Sequence, residues 1–255
     1  MIISEEKYFT QYEKEVGNHI ISLINTFDFS EKNTNLGYKT QTSAVYSSNI
    51  EGNTIDVNSF MNYKLSKEKF KSHKEIEEIE NLILAYEYAQ SNSLNEKNFL
   101  YCHKIFSKTL VQKTRQGIYR NEKVGVFGQS GLVYLAIEPE LVSKAMDDFF
   151  TDISRLHAKE LSIEKTFYFA SLIHLRFVHI HPFIDGNGRA ARLLEKWFLS
   201  EKLGSKFWEI PSEKYYKENQ KEYYDNLNLG VNFYELNYDR CLSFLLMLPN
   251  SLKVI

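Results

Sequence analysis

The sequence predicts an all-α fold carrying one β-hairpin, and three observations predict it. Chain breakers are scarce: four prolines and eleven glycines in 255 residues, well below average usage of about 7% glycine and 5% proline. No glycine falls between Gly52 and Gly117, or between Gly131 and Gly186, and long glycine-free stretches that carry charge favour helices. Along most of the chain apolar residues recur every three or four positions, the period of a helix with one buried face.

Each element follows from the same reasoning. Phe9, Tyr12, Val16, Ile20, Leu23 and Phe27 draw one stripe and predict a first helix. Thr42–Thr54 (TSAVYSSNIEGNT) reads as a short helix stopped by Gly52. Ile76, Ile79, Leu82, Ile83 and Tyr86 mark another, followed by one over about 95–110. Leu141, Ala145, Phe149, Ile153 and Leu156 form a stripe in a segment opened by Pro139, a residue suited to a first turn. Further helices are expected over 162–180, 187–203, 212–228 and 235–248. Gly204 stands where a glycine would stop the helix over 187–203, and Ser212 suits an N-cap for the one after it. Lys123–Ile137 breaks the pattern: two β-favouring runs flank Gly128-Gln129-Ser130-Gly131, the signature of a hairpin. Lys64–Lys74 reads as a polar loop too short to divide domains, and there is no internal repeat. Residues 1–255 are therefore expected to form a single domain of about eight or more helices.

Charge and cysteine usage narrow the function. Thirty-one basic residues against thirty-three acidic ones leave no excess to neutralise phosphate, which argues against nucleic acid or a membrane surface as partner. Cys102 and Cys241 alone cannot build a disulfide framework or a four-cysteine zinc site, and they suit a reducing, cytoplasmic compartment. Early charges at Glu5, Glu6, Lys7, Glu13, Lys14 and Glu15 with no apolar run behind them predict no secretory signal, and no stretch approaches the ~20 apolar residues of a membrane span.

The chemistry is concentrated in His181–Arg192, HPFIDGNGRAAR. Pro182 should end the preceding helix and leave His181 at its lip, with an imidazole able to take a proton from a hydroxyl near neutral pH. Phe183 and Ile184 are apolar enough to hold the loop on the core. Asp185 is a hard oxygen ligand suited to Mg²⁺ on phosphate oxygens. Gly186-Asn187-Gly188 lets successive N–H groups converge at the start of the next helix, a cradle for anions. Arg189 and Arg192 lie three residues apart on one helical face, two guanidinium forks for a polyphosphate. A base, a metal carboxylate, an anion cradle and two arginines within twelve residues point to phosphoryl or nucleotidyl transfer.

Two rival motifs fail. Gly186–Ala191 formally matches the dinucleotide fingerprint, but that fingerprint needs a strand in a βαβ unit before it, whereas Thr166–Ile180 reads as a helix. His174, His179 and His181 are close in sequence, yet no carboxylate or cysteine completes a zinc set at a familiar spacing. His174 and His179 are expected to pack in the core or to cap the helix end as imidazolium.

HPFIDGNGRAAR resembles the signature of Fic-domain proteins, H-x-F-x-[DE]-G-N-G-R-x-x-R, at every fixed position. Gly117-Ile118-Tyr119-Arg120, with Val124 and Val126, resembles the start of that family's flap hairpin, and similarity runs from about residue 40 to 245. The resemblance implies a mainly helical fold, with 117–250 as catalytic core. It also implies a protein adenylyltransferase that moves AMP from Mg-ATP to a Ser, Thr or Tyr hydroxyl of a target protein, which could be the chain itself. His181 would be the general base and Asp185 the ligand of Mg²⁺. Gly186, Asn187, Gly188, Arg189 and Arg192 would hold the phosphates of ATP, with Arg192 nearest the γ-phosphate. Val126, Phe127 and Gly128 would register the target's backbone on the flap. Tyr223 and Tyr224 would line the adenine pocket, with Asn228 or Asn232 beside it. Relatives resembling Doc toxins, which donate phosphate, carry lysine where this chain has Gly188; the choline-phosphate transferring branch shares much of the signature. Relatives often form homodimers, a bacterial source suits the Lys-, Asn- and Ile-rich composition, and no winged helix is expected after residue 248.

Read alone, Glu51 is a carboxylate in the last turn of a helix, disfavoured by the helix dipole unless it finds a cation. Ser47-x-x-x-Glu51-Gly52 resembles the family's inhibitory motif, so 40–53 would be an N-terminal inhibitory helix. The implied mechanism is a Glu51–Arg192 ion pair that diverts ATP from a productive pose. Two alternatives to a self-inhibited adenylyltransferase stay open: a hydrolase in which Glu51 aligns water to remove AMP from protein, and a non-enzymatic nucleotide-responsive module.

Overall fold

A computed structural model describes residues 3–17, 19–29, 36–66, 73–128 and 131–253. The first stripe faces inward, with Leu23 and Phe27 only partly buried, but lies on two helices, α1 (Phe9–Val16) and α2 (His19–Thr26), because the chain breaks at Gly17. Helix α3 (Leu36–Ile50) starts earlier than the expected short helix and stops one residue before Glu51. Helix α4 (Val57–Ser66) occupies the start of the polar stretch read as a loop, α5 (His73–Gln90) takes up its end, and 67–72 lie outside the described residues. Helix α6 (Glu96–Phe106) is capped by Asn95, whose side chain accepts the Asn98 N–H at 2.9 Å.

Strands β1 (Gly125–Gly128) and β2 (Gly131–Leu135) form the expected antiparallel hairpin, with Gly125 opposite Leu135 and a bulge between Val126 and Phe127. Gln129 and Ser130 of the expected turn lie outside the described residues. Helix α7 (Pro139–His157) carries its proline in the first turn. Helices α8 (Ile163–Ile180) and α9 (Asn187–Leu203) match the reading, the first capped by Ser162 and the second stopped by Gly204.

The last two expected helices are broken up. Residues 212–228 form α10 (Ser212–Glu218) and α11 (Gln220–Leu227), separated at Asn219, whose backbone leaves the helical region (φ −111°). Ser212 does not cap α10: Pro211 takes that position, and the Ser212 hydroxyl instead lies 3.4 Å from Glu213. Residues 235–248 carry a 3₁₀ turn at Tyr238–Arg240, then the short α12 (Leu242–Leu245) and the start of α13 (Met247–Asn250). Asn237 causes the interruption locally, its side chain accepting the Asp239 N–H at 3.1 Å in place of a continuing helix.

Helices α8 and α9 form the centre, packed against each other and buried on nearly every face; α8 is apolar almost all round, whereas α9 buries Arg189, Arg192, Glu195 and Lys196 as well. Helices α1, α7 and α12 pack on α8, while α3 and α5 pack on α9. Polar side chains tie the second group together: Lys196 on α9 meets Glu213 on α10 at 2.6 Å and Ser43 on α3 at 2.6 Å, and the Tyr86 hydroxyl on α5 donates to Glu213 at 2.7 Å. That buried cluster seats α3 over the start of α9. Among the described residues no helix is long and apolar enough to cross a membrane.

Candidate active site

The loop from His181 to Gly186 joins the two central helices. Proline at 182 denies His181 the right-handed helical region, and His181 sits instead at φ 51°, the one non-glycine residue with positive φ among those described. Phe183 is fully buried and stacks on His103 with 3.6 Å between ring centres. The side chain of Asn187 accepts the Phe183 N–H and donates to the Phe183 carbonyl, both at 2.9 Å. Asn187 therefore braces the loop with its side chain, a role the expected backbone cradle does not include. Gly186 turns the chain into α9 at φ 87°, a conformation that other residues rarely adopt.

His103 is a brace that the sequence reading missed. Burial pushes its imidazole down to about 4, so it is neutral. Its Nδ1 accepts the Gly117 N–H at 2.8 Å, which leaves Nε2–H to donate to the Asp185 carbonyl at 3.1 Å. The only signal was a histidine on the apolar face of α6, three residues before the buried Phe106.

Burial likewise pushes His181 down to about 4. Its Nδ1 faces the Val178 carbonyl at 3.3 Å, so Nδ1 carries the proton and Nε2 the lone pair. That is the state in which imidazole accepts a proton. His174 and His179 are core residues. His179 is buried between the Tyr238 hydroxyl (2.8 Å) and the Leu227 carbonyl (2.9 Å). Burial holds it neutral at about 4, which corrects the expected imidazolium cap. His174 links Glu195 and the Tyr223 hydroxyl, both at 2.9 Å.

A pH dependence of stability follows. His103, His179 and His181 each fall from an ordinary 6.5 to about 4 on folding. Between those values the unfolded chain binds protons that the folded chain refuses, so stability present above pH 6.5 is lost as pH falls towards 4. Thermal denaturation should show a midpoint that drops through that window; a flat midpoint would contradict the buried neutral rings.

Asp185 stands at the mouth of the loop with its side chain 51% exposed. Its Oδ1 accepts the Gly186 N–H at 2.6 Å. Among the described residues no cluster of three or more acidic, His or Cys side chains could hold a metal by itself. One solvent-facing carboxylate beside an anion cradle fits Mg²⁺ that arrives with phosphates and keeps its waters, rather than a dedicated protein cage.

The two arginines have different surroundings. Arg189 is buried and bonds Glu78 on α5 through Nη2 (2.6 Å) and Nε (3.2 Å). The sequence reading missed Glu78, although a glutamate flanked by Ile76, Ile79 and Leu82 on a buried helix face was a signal. Removing one member of such a pair strands the other charge. Glu78→Ala should therefore cost about 3 kcal/mol or more in urea denaturation; a loss below about 0.5 kcal/mol would mean that the pair is not sequestered.

Arg192 is completely buried, and every nitrogen of its guanidinium has a partner. Nη2 bonds Glu51 Oε1 at 2.7 Å and the Ser47 carbonyl at 2.9 Å, Nε bonds the Ser47 hydroxyl at 2.9 Å, and Nη1 the Tyr223 hydroxyl at 3.2 Å. Burial pushes the Glu51 carboxyl up, but Arg192, then Arg189, outweigh it and hold it below the usual range. A methyl group on Gly188 would collide with Glu51 Oε1, so the carboxylate lies against the first turn of α9, whose opening N–H groups have no intrahelical partner. Glu51 thus occupies the position of an anion at a helix N-terminus.

Helix α3 is held in that place from its end. The Asn49 carbonyl accepts from Lys217 Nζ at 2.9 Å. The Ile50 carbonyl accepts from Gln220 Nε2 at 2.8 Å and from the Tyr224 hydroxyl at 3.0 Å. Tyr223 and Tyr224 are therefore separated in role: Tyr223 is buried beneath Arg192, and only Tyr224 presents its ring to solvent. Asn228 is exposed, whereas Asn232 caps a 3₁₀ turn by accepting the Tyr234 and Glu235 N–H groups. On the hairpin Phe127 is 74% exposed, with Val126 and Gly128 also facing solvent. The Leu135 N–H on β2 donates to the Val231 carbonyl at 2.9 Å, so that side of the hairpin is partly covered and the open edge belongs to β1.

Residues 93–199 match the model of the Fic/DOC family. The chain is 28% identical over 215 residues to a protein from Aedes aegypti named Protein adenylyltransferase Fic, covering 79% of this chain and 40% of that one. The chain thus spans well under half the length of that relative. In structure it is similar to a Fic family protein from Desulfovibrio desulfuricans, with a TM-score of 0.79, 22% identity and coverage of 95% and 73%. It is similar too to a Fic domain containing signaling protein from Bacteroides thetaiotaomicron, with a TM-score of 0.70, 21% identity and coverage of 95% and 94%. The last two likenesses establish the fold.

Proposed function

We propose that this chain, whose residues 93–199 are a domain of the Fic/DOC family, is a protein adenylyltransferase that moves AMP from Mg-ATP to a protein hydroxyl and is held off by its own Glu51. The single observation that carries the reading is the conjunction at the start of α9. A neutral His181, the exposed carboxylate of Asp185 and the place beside Gly188 that the Glu51 carboxylate fills all border one loop. Names of curated relatives support the same activity.

In this reading Asp185 would hold Mg²⁺, which would supply positive charge to the triphosphate when bound. The N–H groups of Asn187 and Gly188 donate to phosphate oxygens, joined by that of Gly186 once it leaves Asp185 Oδ1. Arg189, oriented by Glu78, faces them from the side, and Arg192 takes the γ-phosphate once Glu51 has left. His181 Nε2 removes the proton from the target hydroxyl as that oxygen attacks the α-phosphorus. The bond from the α-phosphorus to the bridging oxygen breaks, and pyrophosphate leaves. The open edge of β1, with Val126, Phe127 and Gly128, pairs with the target's backbone and sets which hydroxyl arrives. Tyr224 flanks the adenine. Two free, buried cysteines fit a reducing compartment such as the cytoplasm.

The reaction is tested with ATP labelled at the α- or the γ-phosphorus and the chain freed of its Glu51 carboxylate. AMP transfer predicts protein labelled from the α position alone, with a mass gain of one AMP. Label from the γ position would point to phosphate transfer, and label from neither, with no mass gain, would leave the enzymatic reading without support.

A further inference from the structure

The end of a helix leaves its last four carbonyls without intrahelical donors, and at the end of α8 each has found one. Phe177 O accepts the His181 N–H at 3.0 Å, and Val178 O faces His181 Nδ1 at 3.3 Å. His179 O accepts from the Tyr134 hydroxyl on β2 at 2.6 Å, and Ile180 O from Arg120 Nη2 at 3.4 Å. The next two carbonyls are also claimed by Arg120: His181 O by its Nε at 2.7 Å, and Pro182 O by its backbone N–H at 2.8 Å.

Arg120 is 2% exposed, and its guanidinium donates to backbone carbonyls. Besides those at the end of α8 it reaches Glu122 O at 2.8 Å and Ile137 O at 2.6 Å, the two residues that bracket the hairpin. No salt bridge to Arg120 occurs among the described residues. Burying a guanidinium with no carboxylate beside it is costly, and the negative end of α8 offsets only part of that cost. An apolar side chain would fill the space more cheaply, but it could not join two segments of backbone.

We propose that Arg120, supported by Tyr134, is a positioning residue for the transfer: it locks His181 and the hairpin into one frame, so that a target paired with β1 presents its hydroxyl at Nε2. Held at φ 51°, His181 has no helical continuation to fix its backbone; the contacts at its carbonyl supply that constraint and so place the ring, which Val178 O then orients. The proposal rests on the adenylyl-transfer reading, and its test separates the two.

Arg120→Lys and Tyr134→Phe are made in the Glu51→Gly chain. The rate of AMP incorporation at saturating Mg-ATP, the half-saturating ATP concentration and the ring-nitrogen resonances of His181 are measured in each. Arg120→Lys should lower the saturated rate by roughly 100-fold, the scale of a misplaced reacting group. The half-saturating concentration should stay in place and the His181 resonances should shift. Tyr134→Phe should change the same quantities in the same direction but less. A folded Arg120→Lys chain with an unchanged saturated rate, or with a defect confined to ATP affinity, overturns the proposal. If Arg120→Lys does not fold, unchanged rate and resonances in Tyr134→Phe overturn it. If the Glu51→Gly parent transfers no AMP, the adenylyl-transfer reading falls by itself. The positioning claim is then decided by the resonances alone, which must move in the folded variants.

Discussion

Glu51→Gly should raise AMP incorporation from Mg-ATP by about 10- to 100-fold. The size follows from the contact removed. A hydrogen bond between charged groups is worth about 1.5–3 kcal/mol, and each ~1.4 kcal/mol is a factor of ten in rate. Four of the five N–H donors of Arg192 are engaged, three of them by Glu51 and Ser47, and the carboxylate sits against Gly188, where the proposed reading puts a phosphate oxygen. Glycine at 51 removes the carboxylate and leaves the carbonyl clamp on Asn49 and Ile50 untouched, so α3 should stay folded. Intact-mass measurement on the parent and the variant, side by side, reads the change directly. Equal incorporation in the two would mean that the Glu51–Arg192 pair is a structural contact and not a brake.

His181→Ala should lower the same transfer by roughly 100- to 10,000-fold, the contribution of a positioned general base, while ATP affinity stays close to that of the parent. The separation is expected because the ring of His181 is directed by Val178 at the end of α8, whereas the anion-facing groups belong to Gly186–Arg192 at the start of α9. Calorimetric titration with Mg-ATP in the Glu51→Gly background distinguishes the cases. Loss of nucleotide binding together with transfer would identify His181 as a residue that shapes the loop rather than one that takes the proton.

How much of this was legible in the sequence depended on whether a feature was local. The helices α7, α8 and α9 and the hairpin were readable because each carries its own period or breaker: Pro139, Pro182, Gly204 and the glycines about the turn. Gly17 and Asn219 break helices whose apolar stripes continue across the break, so periodicity alone could not find them. The site divides in the same way. The loop between α8 and α9 was legible because its groups are contiguous. Its supports were not, because Glu78, His103 and Arg120 reach it from 111, 82 and 61 residues away in sequence. Tyr223 illustrates the limit: its number was marked, but its burial beneath Arg192, bonded to His174, follows only from how α11 packs.

The end of α3 has a consequence for how such a brake would behave. Its carbonyls are gripped by three side chains from three residues, Lys217, Gln220 and Tyr224. No single detachment frees the segment, and each one loosens it. Basal output would then work like a dial with several stops, and a ligand that drew away Tyr224 alone would turn it by one stop without releasing it.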